Sequence, residues 1–292
     1  MPELPEVETV KRGLEPVLRG RRIVRAELRR LDLRFPFPAQ FAERLAGARF
    51  VQLSRRAKYI LAELDNGLSL IVHLGMTGRF TTFSATGTDN LGAFYFEVAA
   101  DAKADGPHDH VVLHLEDGLR LVYSDPRRFG MMDLVETALL EQHKVLLGLG
   151  VEPLGNGLSA EYLAAKFKGK KAPLKSALLD QRIIAGLGNI YVCEALHRAG
   201  LSPKRQSGSV KSTAKLEDLV RHIRAILNEA IIAGGSTLRD FQGTNGEAGS
   251  YQQRFSVYDR EGDPCDTPGC GGTVKRIVQA GRSTFYCPKC QK

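Results

Sequence analysis

The sequence predicts an α+β chain of several domains: an N-terminal helix with a β-rich lobe, then a helical lobe, then a small cysteine-clamped ribbon. Three observations predict it. Short strand-like runs separated by Asp-Asn-Gly and Glu-Asp-Gly turns fill the first half. The apolar period lengthens to that of helices after Thr137. Two close cysteine pairs, Cys265/Cys270 and Cys287/Cys290, end the chain.

The elements follow in order. Pro5 stands where a first helical turn tolerates proline, and Val7, Val10, Leu14, Val17 and Leu18 share one helical face after it. Strand-like runs then occupy 58–64, 68–73, 93–98, 110–116 and 119–123, with Asp65-Asn66-Gly67 and Glu116-Asp117-Gly118 as hairpin punctuation. These runs fit a sandwich or a flattened barrel. Residues 84–107 are small and polar apart from Phe94-Tyr95-Phe96, and read as a long loop with one edge strand. Helices are predicted over 137–147, 159–168, 173–182, 190–199 and 213–232. The last aligns Leu216, Leu219, Val220, Ile223, Ile226, Leu227 and Ala230 on one stripe. Gly200 with Pro203 closes one helix and Gly234-Gly235 the longest. The glycine-rich stretch 242–250 reads as a mobile loop, and 254–259 as a strand entering the ribbon. Cys193, in an apolar helical stretch, reads as a buried spectator.

The ribbon carries the first chemical signal. Four thiolates can close one tetrahedral zinc site, which a short segment with little core needs in order to fold. No coordination position stays open, so the metal is structural rather than catalytic. The first pair is C-x4-C, two residues longer than the common knuckle. Two disulfides in a secreted protein are the opposing reading. The opening MPELPEVE, without a signal peptide, argues against it and for a cytoplasmic protein. Hydrophobic residues make up 43% of the 292 residues, enough for real cores, and no apolar run reaches membrane-spanning length. A net charge of +8 fits an anionic partner, though an ordinary basic enzyme shares it. Placement says more: Lys166, Lys168, Lys170, Lys171 and Lys175 cluster, and Lys275, Arg276 and Arg282 ride on the ribbon.

Four segments offer chemistry. With the initiator methionine removed, Pro2 exposes a secondary amine. A free α-amino group titrates near about 8, so it can attack an aldehyde-like carbon and form an imine. Glu3 and Glu6 stand beside it and can move protons. From spacing alone a plainer reading is favoured, in which the prolines start a helix and the glutamates satisfy its dipole. Asp125-Pro126-Arg127-Arg128-Phe129-Gly130 follows a strand and presents two guanidiniums and a ring, suited to phosphate contact and insertion beside bases. A surface turn with Phe129 packed inward fits equally well. Residues 73–78 similarly display Met76, although an isolated methionine usually fills core. Gly186-Leu187-Gly188-Asn189 opens a helix but is no dinucleotide fingerprint, since Tyr191 holds the third glycine position. Its amides and Asn189 can hold a phosphate or simply cap the helix; nearby Lys175 favours the anion.

In this order the segments resemble the bacterial formamidopyrimidine-DNA glycosylases over nearly the whole chain. The resemblance rests on PELPEVETV at 2–10, RRAKYIL at 55–61, HLGMTGRF at 73–80, YSDPRRFG at 123–130, GLGNIYV at 186–192, GGSTLRDF at 234–241 and GRSTFYCPKC at 281–290. The PELPE start separates this branch from the endonuclease VIII enzymes. The resemblance implies a helix on a two-layer β-sandwich, a helix–two-turn–helix lobe and a zinc finger, in regions 1–136, 137–245 and 246–292. It implies a monomeric enzyme that removes oxidised purines, 8-oxoguanine and formamidopyrimidines, from double-stranded DNA and cuts the strand by β,δ-elimination. By the resemblance, Pro2 is the nucleophile at C1′, Glu3 handles protons at the sugar, Glu6 supports it, and Lys58 lies close to the lesion. Met76, Arg127 and Phe129 fill the void left by the extruded base, with Arg127 facing the orphaned cytosine. His73, His108, Arg128, Lys175, Asn189, Arg276 and Arg282 contact DNA. Residues 236–253 fold over the flipped base, and Cys265, Cys270, Cys287 and Cys290 hold one structural zinc. Two departures stand out besides the C-x4-C knuckle: Ser250 replaces a tyrosine common in the lesion loop, and the stretch near 84–107 is longer than in many members. The competing functions are a non-catalytic zinc-ribbon nucleic-acid-binding protein, which leaves a reactive N-terminus unexplained, and a zinc hydrolase, for which no H-E-x-x-H set exists.

Overall fold

The first helix, α1 (Leu4–Leu18), starts at the capping residue Glu3 and turns Val7, Val10, Leu14 and Val17 into a core. The structure is a computed structural model that describes residues 2–83, 106–236 and 249–292. The edge strand expected at 93–98 and most of the glycine-rich loop lie outside the described residues. By packing, the chain forms two compact units. One takes the chain up to Leu147 together with Gly234–Ser250; the other takes Gly148–Ala233 and Tyr251–Lys292.

In the first unit, α1 is followed by β1 (Ile23–Leu28), a short α2 (Phe41–Leu45) and β2 (Phe50–Arg56). Then come β3 (Tyr59–Leu64), β4 (Leu68–His73), β5 (Arg79–Phe83), β6 (Asp109–Leu115), β7 (Arg120–Ser124) and β8 (Met131–Glu136). They make two antiparallel four-stranded sheets, ordered β1-β6-β7-β5 and β2-β3-β4-β8. Val111, Leu113, Leu121 and Tyr123 from the first sheet share one core with Ile60, Ala62, Leu70, Val72 and Met132 from the second. Two separate sheets around a common core decide the sandwich over the barrel. The sequence reading missed β1, β2, β5, β8 and α2, and the reason is physical. One-residue register shifts at Ile23/Arg25 and Phe50/Gln52 break the period-two alternation of β1 and β2. β5 is an edge strand, with only Thr82 buried in RFTTF.

In the second unit, α3 (Ala160–Phe167), α4 (Leu174–Leu179), α5 (Asn189–Arg198) and α6 (Thr213–Ile232) pack around Leu163, Leu187, Leu196, Leu219, Ile223 and Leu227. The hairpin β9 (Lys275–Gln279) and β10 (Arg282–Tyr286) closes the chain around a two-residue Ala280-Gly281 turn, both residues at positive φ, the type I′ arrangement. Three expectations need correction. The helix expected over 137–147 is a 3-10 helix, Thr137–Gln142, with no buried residue to stabilise a longer element. The helix expected over 173–182 stops at Leu179, because the Asp180 carbonyl accepts from Ile183 and Ile184 and turns the chain. Residues 254–259 are not a strand: the amides of Ser256, Val257 and Tyr258 all donate to the Glu194 carboxylate, at 2.9, 3.0 and 2.8 Å. Cys193 is buried against Val257, Val274 and Phe285. No helix among the described residues is long and apolar enough to cross a membrane.

Candidate functional site

At the head of α1 three expected residues are buried together: Pro2, Glu3 and Glu6. Glu3 and Glu6 form a reciprocal capping box, in which the Glu3 side chain accepts from the Glu6 amide. The Glu3 amide, one bond beyond Pro2, donates to Glu6 Oε2 at 2.8 Å. The other Glu6 oxygen accepts from the Ser236 amide at 2.8 Å and its hydroxyl at 3.1 Å. A single buried carboxylate therefore ties the start of the chain to the residue where the expected lesion loop begins. Ser236 and Ser250 pair as an isolated bridge, so Ser250, noted for departing from the family pattern, closes the base of that loop.

Lys58 and His73 meet at the shared end of β3 and β4. Lys58 occupies the two-residue turn between paired Arg56 and Tyr59, behind Ala57 in the left-handed region at φ 53. A non-glycine residue held there costs about 1–2 kcal/mol, a strain that collects at functional turns. Tyr59 pairs with His73 across the ladder, and their rings lie 5.0 Å apart. Burial, helped by the Lys58 and Arg34 charges, pulls the His73 imidazole down to about 4. Its Nδ1 accepts from the Gly75 amide at 3.0 Å, which leaves Nε2 as the protonated nitrogen. His73 thus offers a neutral donor near neutral pH, not a cation.

The 73–78 and 125–130 turns lie against each other. A Cβ on Gly75 would stand 2.3 Å from the Phe129 carbonyl carbon, so only glycine allows this approach. Buried Asp125 joins the turns: Thr77 Oγ1 donates to Oδ1 at 2.5 Å, the Gly130 amide to Oδ2 at 2.7 Å and the Tyr123 hydroxyl to Oδ2 at 3.4 Å. Thr77 Oγ1 also accepts from the Arg127 amide at 3.2 Å. Above this clamp, Met76 and Phe129 are 37% and 45% exposed, which decides against inward packing of Phe129. The Arg127 guanidinium lies 4.8 Å from the Phe129 ring centroid. Arg128 is exposed at φ 55. His108 is exposed, and its carbonyl accepts from the Asp125 amide at 3.0 Å, which brings it to the same turn.

In the second unit Lys175, Asn189, Arg276 and Arg282 gather on the hairpin. Lys175 is fully buried; its Nζ donates to Ser283 O at 2.9 Å and Thr284 Oγ1 at 2.6 Å. Asn189 Nδ2 donates to the same Ser283 carbonyl at 3.0 Å. Gly188, not Asn189, holds the N-cap position of α5, and Asn189 Oδ1 accepts no hydrogen bond among the described residues, so Asn189 does not cap the helix. Arg276 Nε donates to Ser283 Oγ at 3.1 Å, and Arg282 projects exposed just past the turn. The buried Lys175 ammonium and Asn189 amide therefore grip the hairpin backbone from beneath.

The four C-terminal cysteines fit one zinc. Their sulfurs all lie within 4.8 Å of one another, with Cys265–Cys290 at 3.8 Å and Cys270–Cys287 at 3.6 Å. Those separations are far from the ~2 Å of a disulfide. They suit a tetrahedron with Zn–S bonds of about 2.3 Å. A Cβ on Gly272 would stand 2.7 Å from Cys287 Sγ, so the glycine keeps room for the sulfurs. Burial opposes ionisation of Cys287, but the Cys290 and Lys289 amides favour its thiolate and bring the thiol down to about 7.

Several positioning residues escaped the sequence reading: Thr77, Asp125, Ser236, Glu194 and His197. Asp125 and Thr77 stood inside recognised motifs, overshadowed by the displayed side chains. Glu194 gave a clearer signal, a lone carboxylate on an otherwise apolar helix, and burial pushes its pKa up although three amides hold its charged form. Ser236 and His197 gave none, since their partners lie 230 and 68 positions away.

Comparison with known proteins agrees with this arrangement. Residues 1–132 match the family described as "Formamidopyrimidine-DNA glycosylase N-terminal domain", 149–242 its H2TH domain, and 262–292 the "Zinc finger found in FPG and IleRS". The formamidopyrimidine-DNA glycosylases of Ruegeria pomeroyi and Cereibacter sphaeroides are 56% and 57% identical over 292 residues, covering all of both chains. A Lactococcus lactis FPG mutant solved with Fapy-dG containing DNA superposes with a TM-score of 0.85 at 32% identity over the full length of both chains. The Thermus thermophilus FPG protein gives 0.82 at 39%, over 99% of this chain and 98% of that one. Sandwich, helical region and four-cysteine finger thus recur together and end to end, and this chain belongs to the formamidopyrimidine-DNA glycosylase family.

Proposed function

We infer that the chain is a bifunctional repair enzyme that excises oxidised purines, 8-oxoguanine and ring-opened formamidopyrimidines, from duplex DNA and then cleaves the strand. The observation that carries this reading is the Glu6 bridge, which fixes the Pro2–Glu3 segment with one oxygen and Ser236 with the other. An amine nucleophile held still at the base of a lesion-covering loop is what such chemistry requires. Once the preceding methionine is removed, the Pro2 nitrogen attacks C1′ of the extruded nucleotide. The bond to the base breaks and the base leaves with a proton; the C1′–O4′ bond then breaks as Glu3 protonates O4′, the sugar ring opens, and a Schiff base remains. Its electron-withdrawing nitrogen makes loss of a C2′ proton possible, and both flanking phosphates are expelled in turn. Glu3 handles protons at the sugar, Glu6 holds the segment, and Lys58 stands near the lesion.

A base inside a duplex is unreachable, so it must be extruded and the gap plugged. The exposed Met76, Arg127 and Phe129 above the Asp125 clamp suit that task, with Arg127 toward the orphaned cytosine. His73 contributes a neutral hydrogen bond to the backbone, and His108, Arg128, Arg276 and Arg282 contact phosphates. Lys175 and Asn189 set the hairpin that presents Arg282. The zinc is structural. Relatives solved with Fapy-dG and abasic-site DNA support the substrate class. On functional grounds we retain regions 1–136, 137–245 and 246–292, a monomeric enzyme, and a place of work at the nucleoid.

Borohydride trapping on an 8-oxoguanine duplex is the test. The native chain is expected to form a covalent adduct, and Pro2→Gly to lose it while still binding DNA. Normal turnover by a protein that retains an extension before Pro2 contradicts the assignment. Binding without any adduct by the native chain favours a non-catalytic zinc-ribbon protein instead.

A further inference from the structure

We propose that His197 is an outer-sphere partner of the zinc: its Nε2–H donates to the Cys265 thiolate and latches the long first knuckle to the last turn of α5. His197 is buried at the end of α5, with Nε2 3.4 Å from Cys265 Sγ and 3.3 Å from Thr267 Oγ1. Thr267 itself lies 3.4 Å from Cys265 Sγ. Asp266 Oδ1 is 4.0 Å from Nε2, and its other oxygen pairs with Arg260 at 3.6 Å. The residues that meet His197 are thus Asp266 and Thr267, from the knuckle that the C-x4-C spacing lengthens. The imidazole gives the longer spacing a physical task.

The chemistry selects a donor. Four thiolates around one divalent ion leave two excess negative charges in a mostly buried pocket. N–H groups aimed at the sulfurs offset that charge, whereas a lone pair aimed there would repel it. The Nε2–H of the imidazole supplies that donor at hydrogen-bond range of the sulfur. Cys265, Cys270, Cys287 and Cys290 already complete the tetrahedron, so His197 acts through Cys265 rather than on the metal. The latch also joins two parts of the ribbon. Asn189 starts α5 with a bond to Ser283 O in the hairpin, and His197 ends it beside the zinc knuckle. One helix thereby holds both.

The test uses the full-length, zinc-loaded protein. His197→Ala is expected to keep one zinc per chain but to yield it to a competing chelator with about 10–100-fold weaker affinity. His197→Gln, which keeps a side-chain N–H, recovers part of that loss. In the cobalt-substituted protein the thiolate-to-metal charge-transfer band shifts in His197→Ala while retaining four-thiolate intensity. Long-range nitrogen–proton NMR of the unmodified protein, which needs no variant to fold, shows His197 protonated at Nε2. Unchanged chelator competition in His197→Ala overturns the proposal. So does protonation at Nδ1 in the native chain, or a native cobalt spectrum with three thiolates and an imidazole.

Discussion

His73 shows how far a residue's surroundings can change its chemistry. A histidine beside lysine- and arginine-bearing turns suggests a cation, but burial brings its pKa to about 4 from the ordinary 6.5. The unfolded chain therefore takes up a proton that the folded one refuses. This contribution to stability is complete above pH 6.5 and is lost as the pH falls from 6.5 toward 4, by about 2 kcal/mol at pH 4.5. His73→Phe, which cannot titrate, should lose about 2 kcal/mol less than the native chain between pH 7 and 4.5, measured by urea unfolding followed by circular dichroism. Parallel pH profiles would show that His73 is not buried neutral. The displayed residues Met76, Arg127 and Phe129 were legible as a motif. Their exposure was not, because the same string can pack a ring inward or outward.

Among the elements, two turns between strands do the positioning. Neither the 73–78 turn nor the 125–130 turn has a core of its own, and Asp125 links them through Thr77 and Gly130. Thr77→Val keeps the shape but removes a donor from a fully buried carboxylate, a loss of about 1–3 kcal/mol. It should lower unfolding stability by about 2 kcal/mol and slow single-turnover excision of 8-oxoguanine. Thr77→Ser should restore both. A Thr77→Val enzyme with native stability and native single-turnover excision would show that Asp125 does not clamp the two turns through Thr77. Helices were the most legible elements: α6 spans 213–232 as its apolar stripe predicts. The runs at 58–64 and 68–73 also appeared within one residue, since clean alternation and an Asp-Asn-Gly turn mark them. Strands β1, β2 and β5 did not appear, because register shifts and polar faces erase the period that sequence reading relies on.

For the whole molecule, the packing of the ribbon sets what zinc loss does. The hairpin belongs to the unit of α3–α6, not to the sandwich. Cys287→Ser should therefore lose zinc and melt the C-terminal ribbon, while the sandwich keeps its own unfolding transition. Elemental analysis and near-ultraviolet circular dichroism check this, and full metal content in the variant would refute it. The bound ion stabilises by binding only the folded ribbon.

Local order was in the sequence: the capped first helix, the hairpin turns, the apolar stripe of α6, the cysteine spacing and the motifs that mark the family. These depend on neighbours within a few positions, and spacing records them directly. Tertiary structure alone decided that Glu6 holds Ser236, that Asp125 locks two distant turns, that Glu194 captures 256–258 and that His197 reaches Cys265. Such pairings form only when burial brings remote polar groups together with no water left to satisfy them, and no local periodicity encodes that choice.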